Sequence, residues 1–188
     1  ARETGSRAIV QNAAAGQVGR FINILAEREN IRVINIVRKE EHVEKMESLG
    51  FTNVLWALDN MFRDKLKQLS ATHGDDIVFD AVGGELTGHI LGAMPDGTSL
   101  YLYGALGART LSEIPASDII FKQKSVRGFN MNEWKKRLHR DAFRDISNKL
   151  QLMFAEGVLE TGIQGTYPLR DYEQALMQYI RTMSEGKV

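Results

Sequence analysis

The chain has 188 residues, with 24 Lys and Arg balanced by 24 Asp and Glu, a length that fits one domain of roughly 100–200 residues. Its 43% hydrophobic and 26% charged residues are the composition of a folded globular chain and exclude a disordered or fibrous one. Cysteine is absent, which excludes disulfides and thiolate metal sites; no apolar run reaches the ~18 residues of a membrane span, the start lacks the form of a signal peptide, and neutrality points to no nucleic acid.

Short β-branched runs alternate with helical spacings along the chain, which argues for βαβ units and a parallel sheet. Ala8-Ile9-Val10 is the first strand. After a Gly-containing turn, Val18, Phe21, Ile22 and Leu25 recur at i, i+3, i+4 and i+7, predicting an amphipathic helix with that stripe toward the core. Arg32–Val37 is the second strand, and residues 40–49 form a short helix with Val43 and Met46 inward, ended by Gly50 at the C′ position. Val54–Trp56 is the third strand. Phe62, Leu66 and Leu69 mark a helix that Gly74 closes, and Ile77–Phe79 is the fourth strand. A weak helix around 85–93 leads to the fifth strand, Leu100–Tyr103, and Ser125–Phe129 is the sixth. A long helix over roughly 141–155 carries Phe143, Ile146, Leu150 and Phe154 on one stripe; the tail pairs an extended 162–167 with a helix from Arg170 to about Met183. No repeat or low-complexity linker interrupts this order. The expected fold class is α/β, a doubly wound (Rossmann) parallel sheet with flanking helices.

The zero net charge hides an uneven distribution. Residues 121–150 carry nine basic side chains against three acidic ones, a net of +6. That segment reads either as a solvated helix face or as a basic surface for a phosphate-bearing ligand or acidic partner.

The strongest local signal is Ala14-Ala15-Gly16-Gln17-Val18-Gly19, which matches G-x-G-x-x-G with Ala in the first slot, between a strand and an amphipathic helix. A small residue at 14 permits the tight turn, Gly16 lets backbone approach a pyrophosphate, and Gly19 lets the helix sit against the strand. The N–H groups of the helix start then face the anion. Eighteen positions after Gly19, where an NAD site normally presents Asp or Glu, the chain has Val37 followed by Arg38 and Lys39. A carboxylate there would repel a 2′-phosphate, whereas the Arg38 fork holds one, so NADP is expected over NAD. Asp80-Ala81-Val82-Gly83-Gly84 and Gly104-Ala105-Leu106-Gly107 follow the fourth and fifth strands and should border the same crevice.

Other candidates carry less. His42, His73, His89 and His139 lack the spacing of metal ligands and are expected at the surface or at caps, so no metal site is assigned. Tyr101 and Tyr103 alternate on a strand, one toward the core and one toward the crevice. Met131 and Trp134 read equally as a lip near the nicotinamide or as core. No nucleophile elbow is present.

On these residues, Ala8 to Val188 resembles the nucleotide-binding half of the medium-chain dehydrogenase/reductase superfamily, and within it the NADPH-dependent 2-enoyl thioester reductases and neighbouring quinone oxidoreductases. The resemblance is carried by Val10–Ala14 leading into Gly16 and Gly19, by Ile34–Arg38, by Phe79–Gly84 and by Tyr103–Ala105. Its most specific piece runs from Ile120-Phe121-Lys122 through Arg127-Gly128-Phe129 to Trp134-Lys135-Lys136; Tyr167-Pro168-Leu169 and Gly186-Lys187-Val188 match the superfamily's tail. It implies NADPH as cofactor, with Asn12, Ala14, Gly16, Gln17, Val18 and Gly19 at the phosphates and Arg38 with Lys39 at the 2′-phosphate. Val82 and Gly83 would line the crevice, and Tyr103, Gly104, Ala105, Phe129 and Met131 would border the nicotinamide. Gln17 stands where many relatives have Gly, at an x position where tolerance is expected.

Members of that superfamily are longer, with an N-terminal barrel-like domain that supplies the substrate pocket. The resemblance therefore implies a dinucleotide-binding domain over 1–160 and a tail over 161–188 that returns to such a domain. Read so, the chain is a fragment, inactive alone, on which no catalytic residue is assigned. The expected activity is hydride transfer to an α,β-unsaturated thioester. Quinone or alkenal reduction, or a non-catalytic nucleotide-binding subunit, are the alternatives. Expected partners are a small-molecule or acyl-thioester substrate, the chain's own N-terminal catalytic domain and a second copy joined through Ser125–Phe129. The cytoplasm or the mitochondrial matrix is the expected compartment, with no membrane attachment.

Overall fold

The aliphatic runs at 8–11, 32–37 and 77–80 become strands because they are buried on both faces, the condition under which a parallel sheet is stable. The structure, a computed structural model, describes residues 6–73, 76–182 and 186–188. Gly74 and Met183, expected at two helix ends, lie outside the described residues. The strands are β1 (Ala8–Gln11), β2 (Arg32–Val37), β3 (Val54–Trp56), β4 (Ile77–Asp80), β5 (Ser99–Leu102) and β6 (Ser125–Gly128). They form one sheet in the order β3-β2-β1-β4-β5-β6, and every pairing is parallel. The doubly wound Rossmann expectation is borne out.

Helices α1 (Gln17–Arg28), α2 (Glu41–Ser48), α3 (Phe62–His73) and α4 (Glu85–Ala93) link the first five strands, and α5 (Ala116–Ile120) precedes β6. Alternate strand residues serve opposite layers. Val10, Ile34, Ile36, Val78 and Leu100 pack with Leu66, Ile90 and Leu91, while Ile9, Val33 and Ile77 pack with Ala26 and Ile22. Beyond β6 come α6 (Met131–Arg137), α7 (Arg140–Ala155), a 3-10 turn (Leu169–Asp171) and α8 (Tyr172–Arg181).

Several sequence expectations need correction. In α1 the buried positions are Gly19, Asn23 and Ala26, and Val18, expected inward, is 55% exposed. Small residues win that face because they let the helix approach the sheet closely. In α7 only Met153 is buried; the expected stripe of Ile146, Leu150 and Phe154 is exposed, with Phe154 meeting Phe21 edge-on at 5.5 Å. Helices α5 and α6 were not expected at all. Among the histidines, His139 caps α7 by accepting from Asp141 N, but His42, expected at the surface or a cap, is buried.

Candidate functional site

Because all six strands run the same way, every loop that leaves a strand at its carboxyl end emerges on one edge of the sheet. The segments carrying residues 12–19, 38–39, 82–83, 103–105 and 129–131 leave β1, β2, β4, β5 and β6 in that sense. The fold thus brings all fifteen sequence-predicted cofactor residues to the same edge, where ligands of open α/β sheets bind.

The turn after β1 is the most constrained of these. Ala13 adopts φ +50°, and its carbonyl accepts from Gly16 N at 3.0 Å while Ala14 N donates to Ile36 O at 3.3 Å. Gly16 is the extended N-cap of α1. The helical ladder starts at Arg20 N, which donates to Gly16 O at 3.0 Å. The N–H groups of Gln17, Val18 and Gly19 precede that ladder, and a helix start leaves such donors free for an anion. No acidic residue stands in this first turn. A Cβ on Gly19 would lie 2.5 Å from Ala14 O and 2.6 Å from Ala14 Cα, so only glycine lets α1 pass the turn. On Gly16 a Cβ would meet Ala13 O at 3.3 Å, a tighter fit than usual but a milder one.

Beneath the turn lie two buried polar clusters that the sequence reading did not anticipate. In the first, Asn12 Nδ2 donates to Asp80 Oδ1 at 2.5 Å and Asn12 Oδ1 accepts from Ala81 N at 2.7 Å. Asp80 also accepts from Val82 N, Gly83 N and the Thr87 hydroxyl. Asn12 is fully buried with both ends of its amide engaged, so it shapes the crevice by clamping β1 to β4. In the second cluster, Gln11 and Asn23 both donate to Asn35 Oδ1 at 2.8 Å and to Gly19 O at 3.0 and 3.1 Å. This trio fixes α1 against β1 and β2. The available signal was three carboxamides within otherwise apolar elements, since buried amides survive only when hydrogen-bonded.

Arg38 stands exposed at the end of β2, and its carbonyl accepts from the Trp56 indole at 3.1 Å. Its guanidinium therefore projects from a held backbone. Lys39 instead pairs with Glu41 at 2.9 Å, which neutralises part of its charge.

The loops after β4 and β5 clasp each other. Leu106 N donates to Ala81 O at 3.0 Å and Gly107 N to Val82 O at 2.9 Å. A Cβ on Gly104 would sit 2.8 Å from Ala81 O, and Gly83, at φ +73°, needs a glycine's freedom. Ala105 is exposed, while Val82 and Gly104 are half-buried. Tyr103 is half-buried too; burial first, and then the charge of Asp80, push its phenol above its ordinary value, so it stays protonated. Tyr101, its alternating neighbour, stacks at a tilt on Phe79. After β6, Phe129 and Trp134 pair with centroids 6.1 Å apart, and Met131 is exposed; the core reading of Met131 and Trp134 is set aside. Asn130 caps α6 through Asn132 N and Glu133 N.

Residues 18–149 match the family model described as zinc-binding dehydrogenase. The chain is 26% identical over 184 residues to the human mitochondrial enoyl-[acyl-carrier-protein] reductase, covering 95% of this chain and 49% of that protein. It is 29% identical over 148 residues to bovine prostaglandin reductase 1, covering 76% and 45%. Among solved structures, a putative NADPH:quinone reductase from Mesorhizobium loti matches with a TM-score of 0.77 at 28% identity, over 86% of this chain and 47% of that one. The complex of Etr1p with NADP and crotonyl-CoA matches in fold with a TM-score of 0.76 at 20% identity, over 94% and 52%. The chain thus spans about half the length of the curated relatives it matches. Despite the family's name, this chain has no cysteine. Among the described residues no three His, Asp or Glu side chains gather where they could hold a metal ion.

Proposed function

Since this chain belongs to the zinc-binding dehydrogenase family, as a nucleotide-binding domain of the medium-chain dehydrogenase/reductase superfamily, we propose that it binds NADPH and serves an oxidoreductase that reduces α,β-unsaturated thioesters. The observation that carries the cofactor reading is the turn itself. An acid-free helix start, opened by Gly16 and seated against Ala14 through Gly19, has the donors and the clearance that a pyrophosphate requires.

Gly16, Gln17, Val18 and Gly19 would hold the diphosphate through their backbone, and Arg38 the 2′-phosphate. The neighbouring cleft of about 510 Å³ beside Trp56 is lined by Glu40, Glu41, Glu44 and Asp59 and by one ammonium, Lys65, which pairs with Asp59; this net acidic lining makes the Arg38 guanidinium the better seat for a phosphate. Tyr103, Gly104, Ala105, Phe129 and Met131 would flank the nicotinamide, with Val82 and Gly83 beside them. When bound, the reduced nicotinamide supplies a hydride to the β-carbon of the acceptor. This chain's residues orient it and exclude water; Asn12, through Asp80, keeps the walls at fixed spacing.

In this reading residues 1–160 are the dinucleotide-binding domain, and 161–188 lead toward a catalytic domain that supplies the proton donor. The basic stretch over 121–150 would favour carriers bearing phosphopantetheine or CoA. Its test is the salt dependence of KM for a CoA thioester in the whole enzyme, which should flatten when Lys136, Arg137 and Arg140 are replaced. A quinone acceptor is the second reading, supported by the 28% identity to the Mesorhizobium loti protein. Turnover of crotonyl-CoA against a quinone by the whole enzyme separates the two. A homodimer through β6 is supported by that strand's place at the sheet edge beside exposed Ile120 and Phe121; light scattering should give twice the chain mass.

Calorimetric titration tests the cofactor. NADPH should bind more tightly than NADH, and Arg38→Ala should cost about 1.5–3 kcal/mol for NADPH alone. Equal affinities for both cofactors would sink the assignment of Arg38.

A further inference from the structure

Gln17 occupies the first residue of α1, so its side chain is rooted among the backbone donors that precede the helical ladder. A carboxamide with three rotatable bonds at that root can lie over those donors or away from them. In the structure it lies away: Gln17 Nε2 donates to the Thr161 hydroxyl at 3.0 Å.

Thr161 directly precedes a hydrogen-bonded knot that begins at Gly162. Lys187 N donates to Gly162 O at 2.7 Å, and Gln164 N donates to Lys187 O at 2.8 Å. The Gln164 amide donates to Thr182 O and Gly186 O, and the Thr182 hydroxyl donates to Gln164 Oε1 at 2.6 Å. Lys187 Nζ reaches the Tyr179 hydroxyl at the end of α8. The acceptor that Gln17 uses is therefore joined through the chain, at Gly162, to the C-terminal knot.

We propose that Gln17 and Thr161 form a latch that holds the Gln17 side chain off the first turn of α1, making Thr161 a positioning residue for the dinucleotide phosphates. The inference rests on the NADPH reading above. With the latch closed, the backbone donors of Gln17, Val18 and Gly19 are open to an anion. With Thr161 unable to accept, the amide is released and competes for the same space. By linkage, an anion on the turn favours the closed latch and so steadies the knot.

The test is a double-mutant cycle on NADP+ affinity, measured by titration calorimetry with the full chain. Thr161→Val should weaken binding about 3- to 10-fold, the scale of one neutral hydrogen bond, and Thr161→Ser should restore it. In a Gln17→Gly background, Thr161→Val should change nothing, because no side chain remains to be released. A structural role for Thr161 would lower affinity equally in both backgrounds, and that result overturns the latch. So does an affinity unchanged by Thr161→Val alone. If the unaltered chain binds neither NADP+ nor NADPH, the cofactor reading itself falls and takes the latch with it.

Discussion

The sheet and its first four helices differ sharply from the C-terminal helices. Between β1 and β5 every strand contributes buried aliphatic side chains, and α4 alone buries Thr87, Gly88, Ile90, Leu91 and Ala93. In α6 and α8 no residue is buried, and Leu152, Leu176, Met177 and Ile180 are each more than half exposed. Both regions show the apolar periodicity of amphipathic helices. Periodicity reports that a face is suited to being covered; it does not report what covers it. One region meets that need within the chain, and the other displays it.

The largest effect is expected at Gly19, where the sheet and its first helix meet. Gly19→Val forces a side chain into Ala14 backbone and should cost more than about 4 kcal/mol, or prevent folding, as read by urea denaturation. Next comes the buried pair of Asp118 and Lys124; Lys124 is 2% exposed, and its ammonium also donates to Leu91 O at 2.7 Å. Asp118→Ala strands that charge and should cost about 3–5 kcal/mol. Burial alone would raise the Asp118 carboxyl, but hydrogen bonds from Lys122 and Lys124 overcome it and hold the group below its ordinary value of 3.8. A depressed folded pKa means stability that is present above 3.8 and lost as pH falls through the folded value. Thermal midpoints should therefore fall less steeply in acid for Asp118→Asn than for the unaltered chain.

Asn35→Ala, which removes the acceptor that Gln11 and Asn23 share, should cost about 1–3 kcal/mol. At the other extreme, Met177→Ala and Ile180→Ala should move stability by no more than about 0.5 kcal/mol. A loss of 2 kcal/mol or more at either exposed position, on the scale of a filled core site, would show that α8 belongs to the core after all.

This contrast also marks what could be read in advance. The six strands were legible because central parallel strands are continuous apolar runs such as Val33-Ile34 and Ile36-Val37, and the edges shifted by only a residue or so. The site's edge was legible because strand direction alone collects the loops. Helix α5 has five residues, too few to show a period, and α6 hid because Met-Asn-Glu-Trp-Lys-Lys-Arg reads as a charge run. Its one signal was Asn130, an N-cap. The buried face of α1 was misjudged because hydrophobicity rewards bulk, whereas close approach to a sheet rewards Gly19 and Ala26. The amide trio and the Asn12–Asp80 clamp depend on partners 24 and 68 positions away in sequence, beyond any local window.

The left-handed backbone of Ala13 has a consequence for how the turn meets a ligand. A residue with a Cβ resists that conformation by roughly 1–2 kcal/mol, yet here its neighbours on β2 and at Gly16 impose it. A loop held against its own preference has little room to wander, so its donors are aimed before an anion arrives. Docking of an anion there would order the ligand far more than the protein, and the entropic penalty of association would fall mainly on that ligand.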